Sequence, residues 1–192
     1  MSERSYQERF LEILGRVSQP ARLIGAEIGA GPGFGHGPDA DGRLRVVLAF
    51  PDTYEIGISN QALQILYHLA RCARGVAVER AYLPWVDVRA EMKKAEVPLL
   101  TLESWTPAAE SDLLGVTLQH EFNYTNVLEM LDMAALPVRA HDRGEGMPLV
   151  MGGGPATADF LPVAPFFDAF AVGDGEEMFP EILHLLAEAK KR

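Results

Sequence analysis

From residue 44 onward, short apolar runs alternate with amphipathic helical stretches, and that alternation constrains the fold more than any other feature. The run Leu44-Arg45-Val46-Val47-Leu48-Ala49-Phe50 is almost continuously apolar, as expected of a strand covered on both faces. It leads into a largely polar loop, 51–58, after which Ser59 or Asn60 is a candidate N-cap. Ala62, Leu63, Leu66, Leu69, Ala70 and Ala73 then form a helical stripe, and Gly75 is placed to stop the helix. Val76–Tyr82 reads as a second strand and 86–96 as a charged, exposed helix. Further strand candidates are Leu99–Leu102, Leu113–Leu118, Pro148–Met151 and Phe167–Val172. Helices are expected at 123–135, with Tyr124, Val127, Leu128, Leu131 and Ala134 inward, and at 176–190. In the last, Met178, Ile182, Leu185 and Leu186 align, and Pro180 falls in the first turns, where proline is tolerated.

Alternation of this kind implies a parallel sheet with helices on both sides. The expected fold is α/β, a doubly wound (Rossmann/flavodoxin-like) parallel sheet of about five strands in three α/β/α layers. Right-handed crossovers then place a ligand crevice at the strand carboxyl ends. Residues 1–43 are set apart as an N-terminal helix and a glycine-rich linker, and 44–192 as the α/β domain. In the helix, Phe10, Ile13, Leu14 and Val17 share one face. The linker, 29–43, holds six glycines and two prolines. No helical pattern follows it, so a dinucleotide-binding loop has little support there.

Composition narrows the function. The 17 basic and 27 acidic residues give a formal charge of −10, which repels a phosphate backbone and argues against nucleic acid as a partner. No apolar run approaches the roughly 20 residues that cross a bilayer, and the polar start carries no signal-peptide core; the expected location is the cytoplasm, with no membrane partner. One cysteine, Cys72, can form neither an internal disulfide nor a cysteine-ligated cluster.

Four loops at strand carboxyl ends are expected to converge: Asp52–Gly57, Gln119–Tyr124, Gly152–Thr157 and Gly173–Glu177. Each has two readings. Gly152, Gly153 and Gly154 serve either a tight turn or close backbone approach to a ligand. Gly173, Gly175 and Glu176 make either a turn with an acidic helix start or part of a site. His36, His68, His141 and His184 show no metal-ligand spacing, and His120 in a strand-end loop beside Glu121 is read first as a polar loop residue. No catalytic Ser/His/Asp or Cys/His arrangement is argued.

At these loops the sequence resembles the amino-terminal, cobalamin-binding-type half of a family of radical SAM proteins. The resemblance rests on Phe50-Pro51-Asp52-Thr53-Tyr54-Glu55-Ile56-Gly57, Leu63-Gln64-Ile65-Leu66-Tyr67-His68, Thr101-Leu102-Glu103-Ser104, and Leu118-Gln119 followed by Glu121. Tyr124-Thr125-Asn126-Val127-Leu128, Gly152-Gly153-Gly154-Pro155 and Val172-Gly173-Asp174-Gly175-Glu176-Glu177 continue it, from about Ser18 to the end.

Cobalamin modules of this kind carry Asp-x-His-x-x-Gly, whose His ligates cobalt from below. Here Asp52 and Gly57 match, but Tyr54 stands at the His position, and a phenol that ionises near pH ~10 is a poor donor. Ser-x-Leu is loosely echoed around Thr117-Leu118, and the later glycine pair is matched at Gly152-Gly153. The resemblance therefore implies cobalamin bound without a histidine ligand, held by Asp52, Tyr54, Gly57, Thr117, Gln119, Gly152, Gly153, Gly154, Gly173, Gly175 and Glu176. The alternative is a cofactor-free interaction domain that docks on a radical SAM module. A flavodoxin-like enzyme is the weakest reading.

Radical SAM chemistry, as the resemblance implies it, needs CxxxCxxC for a four-iron four-sulfur cluster that binds S-adenosylmethionine. Those groups are expected only in a radical SAM module, in cis or as a separate chain. The expectation is an accessory domain with no catalytic apparatus of its own, cut from or split off a longer enzyme, since the sequence stops just after the closing helix.

Overall fold

The computed structural model describes residues 5–30 and 42–191. Most of the glycine-rich stretch, including His36, lies outside the described residues.

Five parallel strands form one sheet in the order β2-β1-β3-β4-β5: β1 Leu44–Phe50, β2 Val76–Tyr82, β3 Leu113–Thr117, β4 Leu149–Gly153 and β5 Ala169–Ala171. All seven residues of β1 are buried, the signature of a strand covered on both faces. The order reverses between β1 and β3, so the switch point falls there. The register pairs Gly115 of β3 with Leu48 of β1 and Met151 of β4, and Thr117 with Gly153.

Helices cover both faces. On one lie α3 (Gln61–Cys72) and α6 (Gly175–Lys190), packed on Leu44, Val46, Leu48, Phe50 and Leu113 through Leu63, Tyr67, Phe179 and Leu183. On the other lie α4 (Val86–Lys94) and α5 (Tyr124–Met133); Val127, Met130 and Leu131 of α5 meet Val47, Leu114, Val116 and Val150. The amino-terminal α1 (Tyr6–Leu14) begins with a reciprocal cap between Ser5 and Glu8. Its Phe10 and Ile13 seat against Val88 and Met92 of α4. Among the described residues no helix is long and apolar enough to cross a membrane.

Several local expectations change. The loop after β1 contains a short helix, α2 (Tyr54–Ile58), and Asn60 caps α3 by accepting the Leu63 amide at 2.9 Å. Gly152 and Gly153 close strand β4 rather than opening a loop. Leu99–Leu102 is no strand of the sheet. Leu100 makes an isolated antiparallel bridge to Pro107, and the Leu102 amide donates to the Arg80 carbonyl at 2.8 Å, so the segment caps the outer edge of β2. In α6 the buried positions are Phe179, Leu183 and Ala187, whereas Leu185 is 68% exposed.

Candidate functional site

The strand ends and the first turns of α3 and α6 enclose a cleft of about 480 Å³, within the size range of small-molecule sites. Alternation along the strands decides its floor. Leu48, Gly115, Thr117, Met151, Gly153 and Ala171 share the face that α3 and α6 cover, and all six line the cleft. Ala62 and Leu66 of α3 form one wall, and Gly175, Glu176 and Phe179 of α6 the other. Among the described residues, no Lys, Arg, His or Cys lines the cleft.

The three consecutive glycines have three different causes. A Cβ on Gly152 would point to the opposite face and meet the Phe170 ring at 2.8 Å, so its absence serves packing. Gly154 has φ +109°, a conformation reserved for glycine, and its Cβ would lie 2.6 Å from the Leu118 carbonyl oxygen. Gly153 has neither constraint: the nearest atom to its Cβ would be Ala171 Cβ at 4.0 Å. Gly115 is similarly unconstrained, with Leu48 Cδ2 at 3.5 Å. Glycine inside a strand weakens it and marks close approach by something else. Here both bare positions face the cleft.

Hydrogen bonds fix the mouth. The Leu118 amide donates to the Gly153 carbonyl at 2.7 Å, and the Ala156 amide returns to the Leu118 carbonyl at 3.1 Å. The Thr157 hydroxyl donates to the Gly154 carbonyl at 2.6 Å. Asn126 Nδ2 donates to the Pro51 carbonyl at 2.9 Å, tying α5 to the end of β1. The Gln119 side-chain nitrogen is buried without a partner.

Eight of the eleven residues named from sequence therefore line one cleft: Thr117, Gln119, Gly152, Gly153, Gly154, Gly173, Gly175 and Glu176. Asp52, Tyr54 and Gly57 share the sheet edge but not the lining. Asp52 accepts the Thr53 amide at 2.7 Å, and Gly57 lies under the Tyr82 ring, where a Cβ would come within 2.4 Å. Tyr54 stacks edge-on against Tyr82, with centroids 5.5 Å apart, and lines a separate cavity of about 30 Å³. Burial, and then its hydrogen bond to Glu27, push the Tyr54 phenol up to about 12. Thr157, from the Gly152–Thr157 loop, also lines the cleft, as do Leu48, Gly115, Leu66, Met151 and Phe179, which the strand-end loops do not include. Of these, Gly115 inside an apolar strand run is the signal legible in sequence.

Glu27 belongs to a segment, 20–30, that straps across this corner. Its carboxylate pairs with Arg80 at 3.1 Å, and the Trp105 indole donates to the Leu23 carbonyl at 2.9 Å. Burial alone would raise the Glu27 carboxyl. Hydrogen bonds from Tyr54 and its own backbone, with the Arg80 charge, outweigh burial and hold it below the ordinary carboxylate range. A depressed folded pKa contributes stability above the unfolded value, and that contribution is lost as pH falls through the folded one. Acidification is thus expected to release the strap, read as a change in tryptophan fluorescence. Glu27→Gln is expected to flatten the acid dependence; an unchanged profile in that variant would assign the transition to another group. Among the described residues, no group of three or more His, Cys, Asp or Glu side chains is placed to hold a metal ion.

Fold and site together define a doubly wound α/β domain with a cleft of about 480 Å³ at the carboxyl ends of its strands. The profile of the family "Radical SAM proteins, N-terminal" matches residues 62–192, and the chain belongs to that family. No curated protein matches it. The chain is similar to a solved structure described as a novel cobalamin-binding protein from Desulfitobacterium hafniense DCB-2. The two share 12% identity over 77% of this chain and 59% of that one, with a TM-score of 0.44. The chain thus spans little more than half the length of that protein.

Proposed function

We propose that this domain holds a corrinoid for a radical SAM module, without a protein ligand to cobalt. The observation that carries the reading is the bare floor of the cleft: Gly115 and Gly153 lack side chains where a Cβ would make only ordinary van der Waals contacts. A flat, largely apolar slot suits a planar base. It is sized for the dimethylbenzimidazole tail rather than for the macrocycle.

Gly115, Gly153 and Thr117 would bear on the tail from the sheet, Leu66 and Phe179 from the helices. Gln119 would offer its unpartnered carboxamide nitrogen, and Gly152, Gly154, Gly173, Gly175 and Glu176 would frame the mouth. Asp52 and Gly57 would shape the adjoining β1 corner without touching the tail. Tyr54 stays a neutral phenol committed to Glu27, which is the physical basis for expecting no axial ligand at the histidine position. A bound corrinoid supplies a cobalt centre that takes up and releases alkyl groups. The cluster and S-adenosylmethionine would belong to the radical SAM module, in cis or on a separate chain.

Incubation with hydroxocobalamin, a desalting column and a visible spectrum test the reading. Retained corrinoid with a spectrum unchanged by Tyr54→Phe is expected. A colourless eluate at high micromolar ligand would favour a second reading, a cofactor-free docking domain. The observation on its side is the engagement of Tyr54 by Glu27 and Tyr82, away from the cleft.

A further inference from the structure

The segments leaving the strands carry an unusual set of exposed apolar side chains. Ile56 follows β1, Trp85 and Val86 follow β2, Phe122 follows β3, Leu161 follows β4 and Val172 follows β5. Phe122 is 88% exposed and Leu161 72%. Leu161 belongs to this edge because the carbonyl of Asp159, two residues earlier, accepts the hydroxyl of Tyr124 at the start of α5 (3.0 Å). Among the described residues, the segments between the preceding helices and β1, β2, β3 and β4 carry three such side chains, Ile24 and Ile28 before β1 and Met147 before β4. The first two belong to the strap that crosses the β1–β2 corner of this same edge. Scattered exposed apolar residues need no explanation, but a set gathered on one edge marks an interaction surface.

The same edge is predominantly acidic, the strap's Arg22 being largely buried against Glu55. Glu121, Asp159, Asp174, Glu176 and Glu177 are exposed on it. The segments 51–60, 83–86, 118–123, 154–162 and 172–177 contain no Lys or Arg. A surface that is apolar and acidic selects a partner that is apolar and basic.

We propose that this edge is where the radical SAM module docks, through an apolar patch on that module ringed by Lys or Arg. The proposal rests on the partner named above and not on the corrinoid. A docked module would also close the mouth of the cleft, since both lie on one edge.

Amide hydrogen exchange of the chain, with and without the radical SAM module, tests it. Residues 119–123, 158–162 and 172–177 are expected to exchange at least about tenfold more slowly with the module, and less so in high salt. Joint replacement Phe122→Ser and Leu161→Ser is expected to weaken association at least about tenfold, as loss of interface anchors does. Charge reversal by Glu121→Lys with Asp159→Lys is an independent variant expected to weaken it too, whereas Leu185→Ser on α6 is expected to leave it unchanged. No association with the module, or protection confined to other surfaces, would overturn the proposal. So would protection of the same amides by hydroxocobalamin alone, which assigns the edge to the cofactor, or self-association of the chain through Phe122, which assigns it to a second copy. Corrinoid retention by the chain alone is read separately, so failure of one idea is not failure of the other.

Discussion

Gly154→Ala is expected to destabilise the domain by about 3 to 5 kcal/mol, while Gly153→Ala, one residue earlier, is expected to be neutral or mildly stabilising. At Gly154 two costs add. The backbone sits at φ 109° and ψ 178°, a region other residues enter only at about 1–3 kcal/mol. The new Cβ would also stand 2.6 Å from the Leu118 carbonyl oxygen. That oxygen cannot yield freely, because it accepts the Ala156 amide while the Leu118 amide is held by Gly153. Opening this turn forfeits hydrogen bonds of about 1 kcal/mol each. Gly153 lies in the strand where a Cβ would meet Ala171 Cβ at 4.0 Å, an ordinary contact, so alanine mainly reduces the entropy of the unfolded chain, an effect of about 0.4–1 kcal/mol. Urea unfolding of the two variants gives the comparison. Equal losses would mean that Gly153 is under a constraint like that of its neighbour.

Glu103→Ala is expected to cost about 3–5 kcal/mol, the range for removing one partner of a buried ion pair. The Arg80 and Glu103 side chains are 3% and 1% exposed. One carboxylate oxygen accepts the Arg80 Nε–H at 2.7 Å and the other the Arg80 backbone amide at 2.8 Å. Without it, the guanidinium keeps Glu27 and the face of Tyr67, 4.6 Å away, and the edge of β2 loses the group that covers its amide. Joint replacement of Arg80 and Glu103 by methionine is expected to cost less than the two single changes summed. Additive losses would show that the pair does not act as a unit.

Sequence reading reached the layer architecture because β1, β2 and β3 are strongly apolar and separated by helices with clear stripes. It also reached the convergence of the strand-end loops, which follows from parallel topology. It could not tell Leu99–Leu102 from a strand, since a short apolar segment serves as well to cap an edge. Nor could it fix the rotation of α6: Leu185 and Leu183 are equally apolar, and only the angle at which the chain leaves β5 decides which is buried. Arg45, Glu79 and Arg80 are buried polar residues inside strands, a placement that depends on partners distant in sequence. In the site, the glycines were legible as glycines and not as three separate solutions. The engagement of Tyr54 away from the cleft rests on Tyr82 and on Glu27, in a segment whose sequence carries no signal of it.

The most direct test of the corrinoid account is an equilibrium titration of hydroxocobalamin into the wild-type chain and into Gly153→Leu. Leucine at that position would fill the floor of the cleft and leave the strand intact, as circular dichroism and urea unfolding would verify. The account predicts saturable binding to the wild type and at least about a tenfold loss in the folded variant, the scale of one blocked apolar subsite. Equal binding to both, or no binding to the wild type, would contradict it.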